Sequence, residues 1–277
     1  MLATCLAALR DDLDDGDEII VVDSGSHEPR STAEAAAAAN ASLIRSDRAG
    51  ASLARNLGWR AAATDLVGFI DDDVRVRSGW ADAMITALEA GDVDFVTGGV
   101  VVPVGQELAE RPVAVSSRTV RTPLHPGLAG DIGASANLGI RRAALAAVDG
   151  FDERLGPGTW AASAEDLDLF DRLFRENFAG VFEPLACAEH DQWRSKRQLL
   201  MLDWRYGKGM GVRLARLATW DRARARRLTT EALITQGVRS VVQDLRDGYE
   251  FGALTVTVRT FATVIGMVVG AAREAVS

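Results

Sequence analysis

Lysine is nearly absent from this chain. Lys196 and Lys208 are the only two in 277 residues, and arginine carries nearly all the positive charge. With the abundant alanine, that bias is read as genomic base composition rather than function. A basic excess is also missing: the net charge is −8, which argues against a general nucleic-acid binder, since such proteins present a basic face. Cysteine is limited to Cys5 and Cys187, without a CxxC spacing, so neither a zinc site nor a disulfide framework is expected. A reducing, cytosolic setting follows. The N-terminus shows no basic region followed by a long apolar run, so no signal peptide is expected. Hydrophobic residues make up 48% and charged ones 25%, a balance that supplies a sizeable core and excludes general disorder. The length suits one large α/β domain, or one domain with a helical appendage.

Against these absences, one stretch stands out: Leu66-Val67-Gly68-Phe69-Ile70-Asp71-Asp72-Asp73. Five uncharged residues suit a strand buried on both faces of a parallel sheet. Three carboxylates then arrive where that strand would leave the sheet, and ligand crevices of open α/β sheets lie outside the carboxyl ends of strands. Adjacent like charges repel, so a cation is one way to satisfy them. Oxygen ligands favour Mg2+ or Mn2+ shared with substrate phosphates. A solvated turn is the other reading, because Asp is common in turns; on this stretch alone the two are even.

The rest of the chain alternates strand and helix. Residues 1–9 read as a helix, and the acidic run from Asp11 to Asp17 as a solvated connection. Residues 18–22 form a buried strand ending in Asp23-Ser24-Gly25-Ser26. Helices are expected over 32–39, capped by Ser31, and over 50–63, with short strands at 41–45 and 93–100. Ser78 is expected to cap a helix through about residue 88. Alternation with long connections predicts parallel pairing in a doubly wound sheet. Residues 103–128 hold four prolines and read as a substrate-covering loop. A strand at 134–140, a helix at 141–148, an amphipathic helix at 164–177 and a last strand at 180–186, ending near His190, complete the core. From about residue 194 the composition shifts to long arginine- and leucine-rich helices, over 195–218 and 222–247. Domains are therefore expected at 1–193 and 194–277. Within 251–272, the segment 260–272 gives 13 uncharged residues, short of the roughly 20 needed to span a bilayer. A packed helix is one reading and an interfacial membrane helix the other; the sparse basic residues beside the segment favour the first.

In such a sheet Asp23, the three aspartates, Glu165-Asp166 and His190 would converge on one crevice. Asp23 is suited to accept hydrogen bonds from a base or ribose. The aspartates would hold a metal on a diphosphate, and neutral His190 would complete its shell. Asp166 opens a helix, where the dipole favours its ionised form, compatible with a general base. Each residue alone also has a plain structural reading, as a turn, a dipole partner or a core histidine.

The order of these pieces resembles a known family. Residues 18–26, then Gly50-Ala51-Ser52-Leu53-Ala54-Arg55-Asn56, then Phe69 to Asp73, Asn137-Leu138-Gly139-Ile140-Arg141-Arg142, Gly150-Phe151-Asp152-Glu153 and Ala164-Glu165-Asp166-Leu167-Asp168-Leu169 look like the family 2 glycosyltransferases, inverting enzymes of the GT-A fold. The resemblance covers about residues 1–195. It implies a mixed α/β sheet flanked by helices, and transfer of a sugar from a nucleotide-diphosphate donor to an acceptor hydroxyl with Mn2+ or Mg2+. By the same resemblance Asp23, with Ser24, contacts the base or ribose, and Arg55 faces the donor. Asp71, Asp72 and Asp73 form the DxD region, with Asp73 and Asp71 as metal ligands. Asp166 is the base with Glu165 its neighbour, and His190 is a late metal ligand. Trp160 and the 103–128 loop are expected to shape the site for an acceptor that the sequence does not identify, whether saccharide, lipid-linked or small molecule, in a cell-envelope polysaccharide setting. Localisation is expected to be cytoplasmic, with peripheral membrane contact through the C-terminal helices left open.

One departure from the family pattern matters. Its members begin with an apolar strand before the first helix; here the helix begins at Met1. The expectation is a start assigned downstream of the true one, or a truncation, since the strand would lie centrally, beside those ending in Asp23 and Asp71. This gap motivates a second reading, a non-catalytic nucleotide-sugar-binding or assembly subunit. A nucleotidyltransferase is the third, weakened by the lack of a Gly-rich basic loop after the first strand.

Overall fold

The computed structural model of the chain describes residues 1–108, 110, 115–116, 118–128 and 132–275. The chain forms two compact units: Met1–Asp152 with Leu169–Gln192, and Glu153–Asp168 with Trp193–Ser277. The second unit therefore takes in 153–168 as well as the helical region expected from residue 194 onward. Residues 109, 111–114 and 117 of the proline-rich loop lie outside the described residues.

In chain order the elements up to residue 190 are α1 (Leu2–Asp12), β1 (Ile20–Ser24), α2 (Pro29–Ala38), β2 (Ser42–Ser46), α3 (Ala51–Ala61), β3 (Leu66–Ile70), β4 (Val74–Val76), α4 (Trp80–Glu89), β5 (Phe95–Val101), β6 (Thr122–Pro123), β7 (Asn137–Arg141), α5 (Arg142–Ala147), α6 (Glu165–Arg175) and β8 (Gly180–His190). Six strands make one sheet in the order β3-β7-β5-β8-β4, with β6 also on β8; β1 and β2 make a second. The α/β class and mixed sheet are as expected, but the parallel rule holds only for β1–β2 and β5–β8. Strand β7 runs antiparallel to both neighbours, β3 and β5.

Strand β3 also corrects the expectation of burial on both faces. Only Phe69 is buried, and Gly68 is exposed, because β3 pairs with β7 alone. Among the described residues strand β1 pairs only with β2. Core packing lies instead around β5 and β8. Val96 and Val181 pack with Trp80, Met84 and Leu88 of α4. On the other side Phe95 stacks on Phe170 at 5.5 Å and meets Phe174 edge-on. A Cβ on Gly180 would lie 2.3 Å from the Phe95 ring, so that cross-strand position takes no side chain.

Two polar residues organise this core. Buried Asn137 donates from Nδ2 to the carbonyls of Gly99 and Ala186, both at 2.9 Å. Its Oδ1 accepts from the Trp80 indole at 2.7 Å. Asn56 clamps the backbone of Phe151 through both its amide groups, each at 2.8 Å. Capping departs from expectation. No side-chain cap bond forms at α2, whose first turn carries Pro29, so Ser31 plays no capping role. At α4 the capping position is Gly79, and the carboxylate of Asp12 reaches in from α1 to accept the amides of Gly79 and Ala81 at 2.6 and 2.8 Å. The acidic run is thus not wholly a solvated connection: Asp12 satisfies otherwise orphaned donors at a helix start.

The second unit is helical: α7 (Lys196–Trp220), α8 (Arg222–Thr230), a π-helical segment (Glu231–Arg239), α9 (Ser240–Arg246) and α10 (Glu250–Glu274). Ser195 and Gln198 form a capping box at the start of α7. The single helix expected over 222–247 is in fact two α-helices joined by the π-helical run. Helices α7 and α10 touch backbone to backbone, since a Cβ on Gly211 would lie 2.1 Å from the Thr263 carbonyl and one on Gly266 would lie 2.2 Å from that of Lys208.

Candidate active site

The carboxylate triplet sits in the turn between β3 and β4, closed by the Val74 amide donating to the Asp71 carbonyl at 3.1 Å. Strand β4 then pairs antiparallel with β8, setting Val74 opposite His190. Strand β8 runs through His190, four residues beyond the predicted strand end at 186. That register brings Asp73 and His190 together: Nε2 lies 3.4 Å from Asp73 Oδ2, and both side chains are largely buried. The side-chain nitrogen Nε2 of Gln192 lies 2.8 Å from His190 Nδ1. Two arginines hold the strand pair: Arg75 makes a bidentate pair with Asp191 at 3.0 and 3.1 Å, and Arg77 binds Glu189 at 2.9 and 3.0 Å. The loop before residue 109 reaches the same edge, where Gln106 accepts the Gln192 amide at 3.0 Å.

Asp71 turns the other way. Its carboxylate meets the Arg55 guanidinium at 2.7 Å, and the same guanidinium lies over the Phe151 ring, 5.4 Å from its centroid. The Ala-Arg-Asn segment of α3 therefore does two jobs from adjacent positions, Arg55 on the carboxylate and Asn56 on the Gly150-Phe151 turn. Asp72 is solvent-exposed; desolvation by its surroundings first, then the charges of Asp73 and Asp71, raise its carboxyl above the ordinary range. Beneath the triplet, burial and the charges of Asp72, Asp71 and Asp73 push the Cys5 thiol up to about 12. Cys5 is therefore a thiol at neutral pH, donating to the Asp71 carbonyl at 3.6 Å.

For a divalent ion, Asp73 and His190 offer one carboxylate and one imidazole. Among the described residues no group of three or more His, Cys, Asp or Glu side chains is arranged to hold a metal. Mg2+ and its relatives are held by one or two protein ligands together with substrate phosphates, so the pair fits an ion that arrives on a diphosphate. It does not form a self-sufficient cage.

Asp23, at the end of β1, is buried and fully engaged. It accepts from the Ser26 amide and hydroxyl, both at 2.9 Å, and pairs with Arg45. Burial alone would raise its carboxyl, but the Ser26 and Arg45 hydrogen bonds outweigh it and hold the group below the ordinary carboxylate range. Ser24 is turned to the chain as well, donating to the carbonyls of Arg48 and Gly50 at 2.8 and 3.2 Å. A pH prediction follows from Asp23. A carboxyl lowered in the folded state contributes stability that is complete above its unfolded pKa and lost as pH falls through the lowered value. Asp23→Asn is expected to cost about 1.5–3 kcal/mol at neutral pH, the range for a hydrogen bond to a charged group. That difference should shrink under acid, as read by urea titrations at pH 7 and pH 3.

In the second unit, Glu165 and Asp166 open α6, whose first turn also carries Asp168. Glu165 is buried, and Asp166 Oδ1 accepts the Leu167 amide at 2.8 Å. Asp168 binds Arg216 at 3.0 Å. The approach to this turn is unusual: Ala162 and Ala164 both adopt left-handed backbone, at φ 64° and 68°, where a Cβ is disfavoured. Ser163 between them is anchored by its hydroxyl donating to the Arg205 carbonyl at 3.0 Å. Trp160 lies on the same loop, with the Lys208 ammonium and the Arg273 guanidinium each 4.9 Å from its ring centroid.

Comparison with known proteins adds the family. The sequence model of the family described as Glycosyl transferase family 2 matches residues 1–147. The pre-mycofactocin glycosyltransferase of Mycobacterium tuberculosis, in strains CDC 1551 and H37Rv, is 31% identical over 163 residues, 57% of this chain and 33% of the relative. The chain thus spans about a third of the length of the curated relatives it matches. Among solved structures, S. aureus TarS 1–349 covers 92% of this chain over 86% of its own, with a TM-score of 0.53 at 14% identity. Its complexes with UDP and UDP-GlcNAc give 0.55 at 15% and 0.53 at 13%, likenesses that speak for the fold. The family match takes in more than half of the sequence, and the chain belongs to glycosyl transferase family 2.

Proposed function

We propose that the chain transfers a sugar, with inversion, from a nucleotide-diphosphate donor to an acceptor hydroxyl. The observation that carries this reading is the Asp73–His190 pair beside the Arg55–Asp71 ion pair, placed by the β4–β8 register in a chain of this family. When a divalent ion is bound with the donor, it stabilises the charge building on the leaving diphosphate; Asp73 and His190 would hold it. Arg55 supplies a further fixed positive charge near the triplet. Inversion is a single displacement, so one base must take the acceptor proton on the side opposite the leaving group; we assign that role to Asp166, with Glu165 its buried neighbour. Asp23, Ser24 and Asp72 are read as shaping the nucleotide end. Their bonds within the chain make Asp23 and Ser24 rigid framework there. Trp160 is read as part of the acceptor side, and residues 1–193 as the catalytic part. The TarS complexes with UDP and UDP-GlcNAc and the relative's glycosyltransferase name support a nucleotide-sugar donor. A cytoplasmic location with the C-terminal helices toward a membrane completes the reading.

Thermal unfolding with UDP and with GDP, each with and without Mn2+, tests it. One nucleotide is expected to raise the melting temperature in a Mn2+-dependent way, by about 4 °C for roughly a hundredfold excess over its dissociation constant. Asp73→Ala should remove the Mn2+-dependent part. If neither nucleotide binds under either condition, the assembly-subunit reading replaces this one.

A further inference from the structure

Helix α10 is packed inside out. None of its buried residues is larger than Val256; Ala253, Ala262, Gly266 and Gly270 make most of the contact side. Four of its large apolar residues, Leu254, Phe261, Val264 and Val268, face outward, Phe261 at 61% and Val268 at 67% exposure, while Phe251, Val258, Ile265, Met267 and Val269 are half-buried. Their spacing of seven, three and four keeps them on one stripe of the helix. The preceding helical run repeats the pattern, with Ile234, Val238, Val242 and Leu245 all exposed. A water-facing helix does the opposite, burying its large apolar side chains and leaving small or charged ones outside. By length and composition α10 would even cross a bilayer. Arg259, ion-paired at 3.2 Å to Asp203 of the charged helix α7, argues for lying on a surface instead.

Charge decides what covers these stripes. Residues 194–277 carry 15 Lys and Arg against 7 Asp and Glu, a net +8, whereas 1–193 carry 16 against 32, a net −16. A second copy would set +8 against +8. An anionic surface attracts this basic stretch.

We propose that the C-terminal unit is an interfacial membrane-docking module that seats the Leu254–Phe261–Val268 stripe of α10 into the headgroup layer of anionic lipid. The proposal rests on the membrane-facing part of the reading above and names its surface and lipid class; sugar transfer does not enter it. Its test is flotation of the full chain, without nucleotide, with vesicles of phosphatidylcholine alone and with about 30% phosphatidylglycerol. At low salt the bound fraction is expected to rise about tenfold with the anionic lipid and to fall again at about 0.5 M salt. The double variant Phe261→Asp/Val268→Asp should lose that binding about tenfold while melting like the parent protein, because both side chains are exposed. Equal binding to neutral vesicles, binding to neither, or a salt-resistant dimer that the double variant dissociates would each overturn it. Nucleotide binding measured on the same preparation separates this failure from failure of the transfer reading.

Discussion

Asp166→Asn is expected to lower sugar transfer by about 10²- to 10⁴-fold, the span of a lost general base, while nucleotide binding with Mn2+ stays at the parent level. The substitution changes little else. Asparagine keeps the shape of the side chain, and its Oδ1 can still accept the Leu167 amide now held by Asp166. The helix start retains Glu165 and Asp168, so two of the three first-turn carboxylates still face the dipole. What disappears is the ability to take a proton. Glu165→Gln should do less to the chemistry, because that carboxyl is buried and is read as a neighbour of the base. Single-turnover rates and nucleotide titrations on the same samples separate the two effects. Wild-type turnover by Asp166→Asn would remove Asp166 from the base role, and lost nucleotide binding would make it part of the donor site.

What the residues disclose in advance, and what they conceal, follows from the range of the interactions. Apolar runs that end in Asp23 and in Asp71 are local signals, and they locate β1 and β3 to within two residues. The amphipathic spacing of Leu167, Phe170, Leu173 and Phe174 likewise marks α6, because one helix face carries the pattern by itself. Strand β4 is different. Val-Arg-Val is three residues long and becomes a strand only because β8 lies beside it, fastened by Arg75 to Asp191 and Arg77 to Glu189. No local pattern announces a partner more than a hundred residues away. The same holds for Asp12 at the start of α4 and for Asn56 and Asn137, whose polar groups are spent on distant backbone. In the site, family order groups Asp73 with His190, but the β4–β8 register is what sets them 3.4 Å apart. Sequence order also treats Asp71 as a partner of Asp73, whereas the fold turns it to Arg55. Least legible of all is the left-handed backbone at Ala162 and Ala164, since alanine gives no hint of positive φ.

That backbone makes Gly209→Ala the substitution with the next largest expected effect. Glycine in a helix interior costs about 1 kcal/mol relative to alanine, so a bare propensity argument predicts that the change stabilises α7. Packing reverses the sign. A Cβ at position 209 would lie 2.1 Å from Ser163 Oγ and 2.5 Å from the Ser163 carbonyl oxygen. The side chain of Ser163 is itself held by the Arg205 carbonyl, and its backbone is flanked by two left-handed alanines. The loop therefore has little freedom to give way, and any movement is passed directly to Glu165 and Asp166. Overpacking of this kind costs about 1–3 kcal/mol, and misplacing a reacting group by about 1 Å costs roughly a hundredfold in rate. The expected result is a lower melting temperature and a kcat down about a hundredfold, with nucleotide binding held because the triplet, Arg55 and His190 are untouched. Adding Ser163→Ala should not restore activity, since the Ser163 carbonyl oxygen at 2.5 Å and carbonyl carbon at 2.6 Å remain in the way. Full rescue by that second change would mean that the hydroxyl alone was obstructing. A Gly209→Ala variant that is as stable and active as its parent would show that the left-handed turn does not position Asp166.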